Sequence, residues 1–209
     1  MSFKSITDEF PLKRGSGDRF RYDCDQSAWI NKLVPNNSKV AGGACYNLCY
    51  WFACLRLLED PNGFKEFSND TMLEGAIRNQ GWEDFKVDSK NLRIESHDVK
   101  IIERNFGTAF CLFRYNITLN NNLEIIDAIL GARAVSMLVL RQNKHGPGHA
   151  IAFDTRTNIT FFDPNFGWFE DHSSPVGAAY FRDWYHRWYH ASFYKKLFEH
   201  GRRQLVVWT

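Results

Sequence analysis

The sequence predicts an α+β domain in which one buried helix packs on an antiparallel sheet. Helical patterns dominate the first half of the chain, whereas short apolar segments separated by turn residues dominate the second half. In addition, the segment 45–59 is apolar on more than one helical face, which is typical of a helix enclosed by the core.

The helices of the first half are bounded by turn residues. A short helix over 25–33 is followed by the turn at 35–38, and the helix over 45–59 ends at Asp60-Pro61. Two further short helices are predicted over 70–80 and 96–104.

The second half predicts a sheet with two amphipathic helices against it. The helix over 119–132 is expected to end at Gly131, and a long aromatic helix is expected over 178–199. The predicted strands are 109–118, 134–141, 149–154, 159–163 and 205–208, the third and fourth of which form a hairpin.

Size and charge limit the class of protein. The chain has 209 residues, of which 44% are hydrophobic and 24% charged, and its net charge is only +2. This length suits a single domain, and the weak charge argues against nucleic-acid binding. We expect residues 1–23 to form a flexible N-terminal arm, residues 24–209 to form one folded domain, and the protein to be a monomer.

The cysteines indicate a reducing compartment. Their number is odd, five, and three of them lie in one predicted helix, where disulfide geometry is rarely met. The N-terminus has no apolar run, which predicts no cleavable signal peptide, and the longest apolar run is too short to span a bilayer. We expect no cofactor and no metal; His186 and His190 have ligand spacing, but no second pair does.

Cys45 is the candidate nucleophile. It follows the Gly42-Gly43 turn and stands where the helix begins, a place where free N–H groups and the helix dipole favour a thiolate. The alternative is a buried core thiol, which is the interpretation we adopt for Cys49 and Cys54.

His149 and Asp163 are the candidate partners of that thiol. An imidazole activates a thiol when its other nitrogen is held by a carboxylate or amide. The two residues share a face only if the hairpin loop is odd or bulged, and an odd loop would pair them directly. His145 is the alternative base, Asp163 also suits an Asx turn, and Asn165 is a candidate to share the orienting role with Asp163.

Three blocks of sequence resemble the YopT/AvrPphB-type papain-like cysteine proteases, which are bacterial virulence effectors. The blocks are Gly43-Ala44-Cys45-Tyr46-Asn47-Leu48 with Trp51, Gly148-His149-Ala150-Ile151-Ala152, and Asp163-Pro164-Asn165-Phe166-Gly167. The resemblance implies a papain-like catalytic domain with Cys45 as nucleophile, His149 as general base and acid, and Asp163 as orienting group.

The resemblance also implies a substrate and a place of action. It implies delivery into the host cytoplasm and cleavage of a host signalling protein, of the GTPase or kinase class, with peripheral contact to a membrane-anchored substrate. Such enzymes use a side-chain amide and the nucleophile's backbone N–H as oxyanion donors. The usual position holds no amide here, and Asn37 is the candidate.

Two other functions are compatible with the same residues. A Cys-His-Asp site also performs acyl transfer to protein lysines, and a chain that keeps the fold without the chemistry is a host-protein-binding module. The run Phe181–Tyr189 is interpreted as a helix that packs aromatic side chains on the sheet, with a surface for a partner protein or an anionic membrane as the alternative.

Overall fold

The structure is a computed structural model. It describes residues 19–23, 25–35, 44–57, 77, 112–115, 122–141, 148–171, 179–191 and 202–208.

Four helices and seven strands have their bounds within these ranges. The helices are α1 (Gln26–Leu33), α2 (Cys45–Leu57), α3 (Asn122–Ala132) and α4 (Ala179–Ala191). The strands are β1 (Arg19–Asp23), β2 (Leu112–Tyr115), β3 (Val135–Arg141), β4 (Gly148–Asp154), β5 (Ile159–Asp163), β6 (Gly167–Asp171) and β7 (Arg202–Trp208).

The strands form one seven-stranded sheet in the order β1-β6-β5-β4-β3-β7-β2, with every neighbouring pair antiparallel. The predicted α+β class, with a helix packed on an antiparallel sheet, is confirmed. The strands β4 and β5 that carry His149 and Asp163 lie near the middle of the sheet.

Helices cover both faces of this sheet. On one face, the core includes residues of α1 and α2 with Val135, Met137 and Ala152 of the sheet. On the other face, it includes residues of α3 and α4 with Leu138 and Phe153. Because both faces are covered, β3 is buried along almost its whole length, which explains its uninterrupted apolar sequence.

The helix α2 packs most extensively on β4. The residues of β4 that join its side of the core are the small Ala150 and Ala152, which let the helix approach the strand closely. Nearby, the ring of Phe52 stacks on that of Phe162 with a centroid distance of 5.1 Å. Close packing of α2 on β4 brings the beginning of the helix toward the beginning of the strand.

One boundary differs from the sequence predictions. Residues 19–23, assigned above to the flexible arm, form β1 and pair with β6, so they belong to the sheet. Pairing with a strand that is distant in sequence decides the structure of this segment. The helix α3 ends at Ala132, the last residue of the predicted range and one residue after Gly131, and Arg133 takes the left-handed conformation with φ 47°. The helices predicted over 70–80 and 96–104 lie outside the described residues except for the buried, helical Ile77.

The aromatic side chains of α4 that the structure describes face the core. Phe181, Tyr185 and Tyr189 recur at four-residue spacing and are all buried. The exposed side of the helix is tied to α3 by the ion pair between Arg182 and Asp127. This confirms the interpretation of these three residues as sheet-packing aromatics.

Candidate active site

Cys45 lies at the first position of α2, as the sequence predicts. The carbonyl of Ala44 accepts the hydrogen bond from the Leu48 N–H at 3.0 Å, so the helix begins at the thiol. Cys45 is half-buried, whereas Cys49, one turn further along the same helix, is fully buried. Both are free thiols, and of the two only Cys45 is partly exposed.

His149 lies between a carboxylate and this thiol. Its Nε2–H donates to Asp163 Oδ1 at 3.0 Å, and its ring also makes a side-chain hydrogen bond with Cys45. Since Asp163 occupies Nε2, Nδ1 is the nitrogen available to the thiol. Burial lowers the pKa of His149, but the Asp163 carboxylate and the Cys45 sulfur outweigh burial and raise it to about 10.

Asp163 makes both of the contacts that the sequence suggests for it, one to the imidazole and one within an Asx turn. It is completely buried, and its Oδ1 accepts from the backbone N–H of Asn165 at 2.8 Å as well as from His149. A second bond in the same turn joins the Phe166 N–H to the Asp163 carbonyl at 3.0 Å. The turn ends at Gly167 with φ 130°, a conformation that favours glycine. The Asx turn therefore fixes the carboxylate in position.

His149 and Asp163 share a face of the hairpin, as required, but they are not paired directly with each other. The last paired residues at the loop are Asp154 and Thr160, so the loop is odd, and the side chains of His149 and Asp163 meet. The register places Ile151, not His149, across from Asp163, so the predicted direct pairing is wrong. The ladder extends only to the pair Ala152–Phe162, and His149 lies beyond its end, where its ring reaches the start of α2.

A cluster of charges holds the other ends of α2 and β4 together. Arg56 donates to the buried carboxylate of Asp154 at 2.7 Å, and Arg156 donates to the same carboxylate at 3.0 Å and to the Arg56 carbonyl at 2.6 Å. Burial raises the pKa of Asp154, but its bonds to Arg156 and Arg56 outweigh burial and lower it. The helix is thus anchored to the strand at both ends.

Gln26 is a component of the site region that the sequence analysis did not identify. Its side chain accepts from the backbone N–H of Ala44, next to Cys45, and donates to Asn165, next to the Asp163 turn. Gln26 is distant from both in sequence, and no local signal marks it, because a polar residue at the start of a short helix is normally exposed. The candidates Asn37 and His145 lie outside the described residues.

The described residues give no sign of a metal site or of a membrane span. No three His, Cys, Asp or Glu side chains among them are grouped so that they could hold a metal ion. Within the same part of the chain, no helix has the length and apolar content needed to cross a membrane.

A thiol at the start of a buried helix, facing an imidazole on an antiparallel sheet, defines the class of papain-like cysteine peptidases. The model of a peptidase family, described as Yersinia/Haemophilus virulence surface antigen, matches residues 20–207. The match spans most of the chain, and the protein belongs to this family. The predicted family and the predicted cysteine peptidase class are therefore confirmed.

Comparison with solved structures shows similarity to the crystal structure of the Pseudomonas avirulence protein AvrPphB. The two share 15% sequence identity with a TM-score of 0.49, over 82% of this chain and 94% of that chain. Comparison with curated protein sequences finds no significant match. The family is one of virulence effectors, so the protein is a cysteine protease of the effector type.

Proposed function

We propose that the protein cleaves a host protein through an acyl-enzyme on Cys45, with His149 as general base and acid and Asp163 as orienting group. The observation that carries this proposal is the position of the His149 ring, which is hydrogen-bonded to both Asp163 and Cys45. The half-buried thiol meets substrate, while the buried imidazole and carboxylate are shielded from water.

The chemistry follows from this order of groups. The thiol proton passes to Nδ1 of His149, and the thiolate attacks the scissile carbonyl carbon to form a tetrahedral intermediate. Collapse of the intermediate breaks the carbon–nitrogen bond, and the imidazolium returns the proton to the leaving amine. Water, deprotonated by His149, then releases the acyl group and restores the thiol.

Two donors stabilise the oxyanion in this proposal. The first is the backbone N–H of Cys45, which belongs to the first turn of α2, where N–H groups lack intrahelical acceptors. The second is the side-chain amide of Asn37, as the sequence predicts.

The substrate we propose is a host signalling protein of the GTPase or kinase class, met in the reducing host cytoplasm. The free thiols of Cys45 and Cys49 fit such a compartment. We further propose that the enzyme acts as a monomer and contacts membranes only peripherally, through a membrane-anchored substrate. Family membership supports a host protein as the target.

A matched pair of cysteine variants tests the proposal. Cys45→Ala and Cys49→Ala each remove one thiol from α2, but only the first removes the nucleophile. Each protein is incubated with host-cell lysate, and new protein N-termini are identified by mass spectrometry. We expect new termini with the wild type and with Cys49→Ala, and none with Cys45→Ala.

Three results would count against the proposal. Equal cleavage by Cys45→Ala would exclude Cys45 as the nucleophile. Acylated lysines in place of new termini would identify an acyltransferase that uses the same site. A wild-type Cys45 that iodoacetamide labels no faster than the other cysteines at neutral pH would show that the thiol is not activated.

A further inference from the structure

The side chain of Gln26 joins the two segments that carry the candidate site. Gln26 is the first residue of α1 and only 6% exposed. Its Oε1 accepts from the Ala44 N–H at 2.7 Å, and its Nε2 donates to Asn165 Oδ1 at 2.5 Å. These partners are 18 and 139 residues away in sequence, so the bridge exists only in the tertiary structure.

One end of the bridge controls the backbone at the nucleophile. Ala44 is completely buried and immediately precedes Cys45. Its N–H is held by Gln26, while its carbonyl is held by the helical bond from Leu48. With both peptide groups of Ala44 fixed, the direction in which Cys45 leaves the backbone is fixed as well.

The other end of the bridge controls the group that orients the base. The backbone N–H of Gln26 donates to the Pro164 carbonyl at 2.9 Å, and its side chain holds that of Asn165. The backbone N–H of Asn165 donates in turn to the Asp163 carboxylate, which accepts from His149. A continuous series of hydrogen bonds therefore connects the backbone next to the thiol with the imidazole.

The chemistry of the bridge requires a carboxamide. The Ala44 N–H needs an acceptor, and Asn165 Oδ1 needs a donor, and a glutamine side chain supplies both at adjacent atoms. The start of α1 is itself held by the Asp25 carboxylate, which accepts from the Ser27 N–H at 2.8 Å. Gln26 thus projects from a capped helix end rather than from a loosely held segment.

We propose that Gln26 is a positioning residue that sets the alignment of the Cys45 thiol with the His149 imidazole. It does so by holding the backbone before the nucleophile and the turn after Asp163 in one fixed relation. This inference rests on the proposed function, because it assigns Gln26 a role in the same site.

The test compares Gln26→Met with Thr155→Val in the full chain. Methionine keeps the length of the side chain but removes both hydrogen bonds. Thr155→Val likewise removes buried hydrogen bonds, to Ala134 and Ile129. Thr155 follows the opposite end of β4, and a strand rise of ~3.3 Å per residue places it about 20 Å from His149. Both variants are expected to lower the melting temperature, so stability alone does not distinguish a positioning role from a structural one.

Two readouts do distinguish these roles. The first is the pH midpoint of His149, followed by NMR of ring-labelled histidine and assigned with His149→Gln. The second is the rate at which iodoacetamide labels Cys45 at pH 7, measured by peptide mass spectrometry. For Gln26→Met we expect the His149 midpoint to fall by at least about one pH unit and the labelling of Cys45 to slow at least about tenfold. The two limits express the same loss of alignment, since one pKa unit equals a factor of ten. Thr155→Val should change neither.

Unchanged readouts in Gln26→Met, or equal changes in both variants, would overturn the inference. Asn165→Ala breaks the same bridge at its half-exposed end and keeps the Asn165 backbone bond, so it replaces Gln26→Met if that variant does not fold. We expect from it a smaller shift in the same direction, and an unchanged midpoint would again overturn the inference. If wild-type Cys45 were unreactive, the proposed function would fail, while the His149 midpoint would still decide the role of Gln26.

Discussion

Replacing Asp163 by asparagine removes the negative charge that faces His149 and leaves the adjoining turn in place. An asparagine Oδ1 can still accept the Asn165 N–H, which donates to Asp163 Oδ1 in the native protein. The amide nevertheless carries no charge to stabilise an imidazolium. We expect Asp163→Asn to fold with a greatly reduced proton affinity at His149.

The size of the effect follows from the position of His149. Its pKa is raised from 6.5 to about 10, although burial alone lowers it. A difference of this size corresponds to about 5 kcal/mol in favour of the imidazolium, at about 1.4 kcal/mol per tenfold change. Asp163 is the largest of the influences that raise this pKa, so without it burial opposes only the sulfur of Cys45. We expect the pKa of His149 in Asp163→Asn to fall to about 7 or lower.

The NMR titration of ring-labelled His149 measures this directly, and Cys45→Ala separates the contribution of the sulfur. Peptidase kcat/KM should fall about 10²–10⁴-fold, the range that acid–base catalysis contributes. The raised pKa of His149 also stabilises the folded state. This contribution is complete below pH 6.5 and is lost as the pH rises through about 10. The unfolding free energy of the wild type should therefore fall toward that of the variant over this interval. A His149 midpoint within half a unit of the wild-type value would refute the reasoning.

The remaining predictions concern the stability of the scaffold, measured by chemical unfolding. Asp154→Asn should cost about 2–3 kcal/mol at pH 7, because it removes the buried charge that binds Arg56 and Arg156. Because the pKa of Asp154 is lowered in the folded protein, the charge stabilises the fold above pH 3.8, and this stabilisation is lost as the pH falls through the folded-state pKa. An equal cost of Asp154→Asn at pH 7 and pH 3 would contradict this role of the charge. Arg133→Gly should raise the unfolding free energy by about 0.5–1 kcal/mol, since the left-handed backbone conformation at this position is strained for arginine but not for glycine. Gly131→Ala should raise the unfolding free energy by about 0.5–1 kcal/mol, because Gly131 lies within α3 and an added Cβ meets nothing within 4 Å; a loss of stability would contradict a helical conformation at this residue.

The fold prediction succeeded where a pattern is local. Asp25 caps α1, the helix that the sequence predicts to begin at this point, and the apolar run after Ala134 is a buried strand. The position of Cys45 at a helix start also follows from adjacent residues, because the glycine turn and the apolar helix stand next to each other in the chain. Capping, periodicity and turn chemistry act over only a few residues, so they can be recognised from neighbouring residues in the sequence.

A distant partner decides the structure of the segment 19–23. The prediction places it in a flexible arm, but it forms β1 and pairs with β6, more than a hundred residues away. Its alternation of polar and aromatic residues covers only five positions and does not show which strand it pairs with. The local strand preference is about 1 kcal/mol or less, so the tertiary contacts decide the outcome.

The residue types of the site were visible in the sequence, whereas their geometry was not. By itself the sequence determined a thiol at a helix start, a histidine at a strand start and an aspartate in a tight turn. Only the tertiary structure decided that the hairpin register offsets His149 from Asp163 and that Gln26 bridges the two halves of the site. The physical reason is that register and side-chain bridges depend on how separate elements pack, and hydrogen bonds across 139 residues leave no pattern in a local stretch of chain.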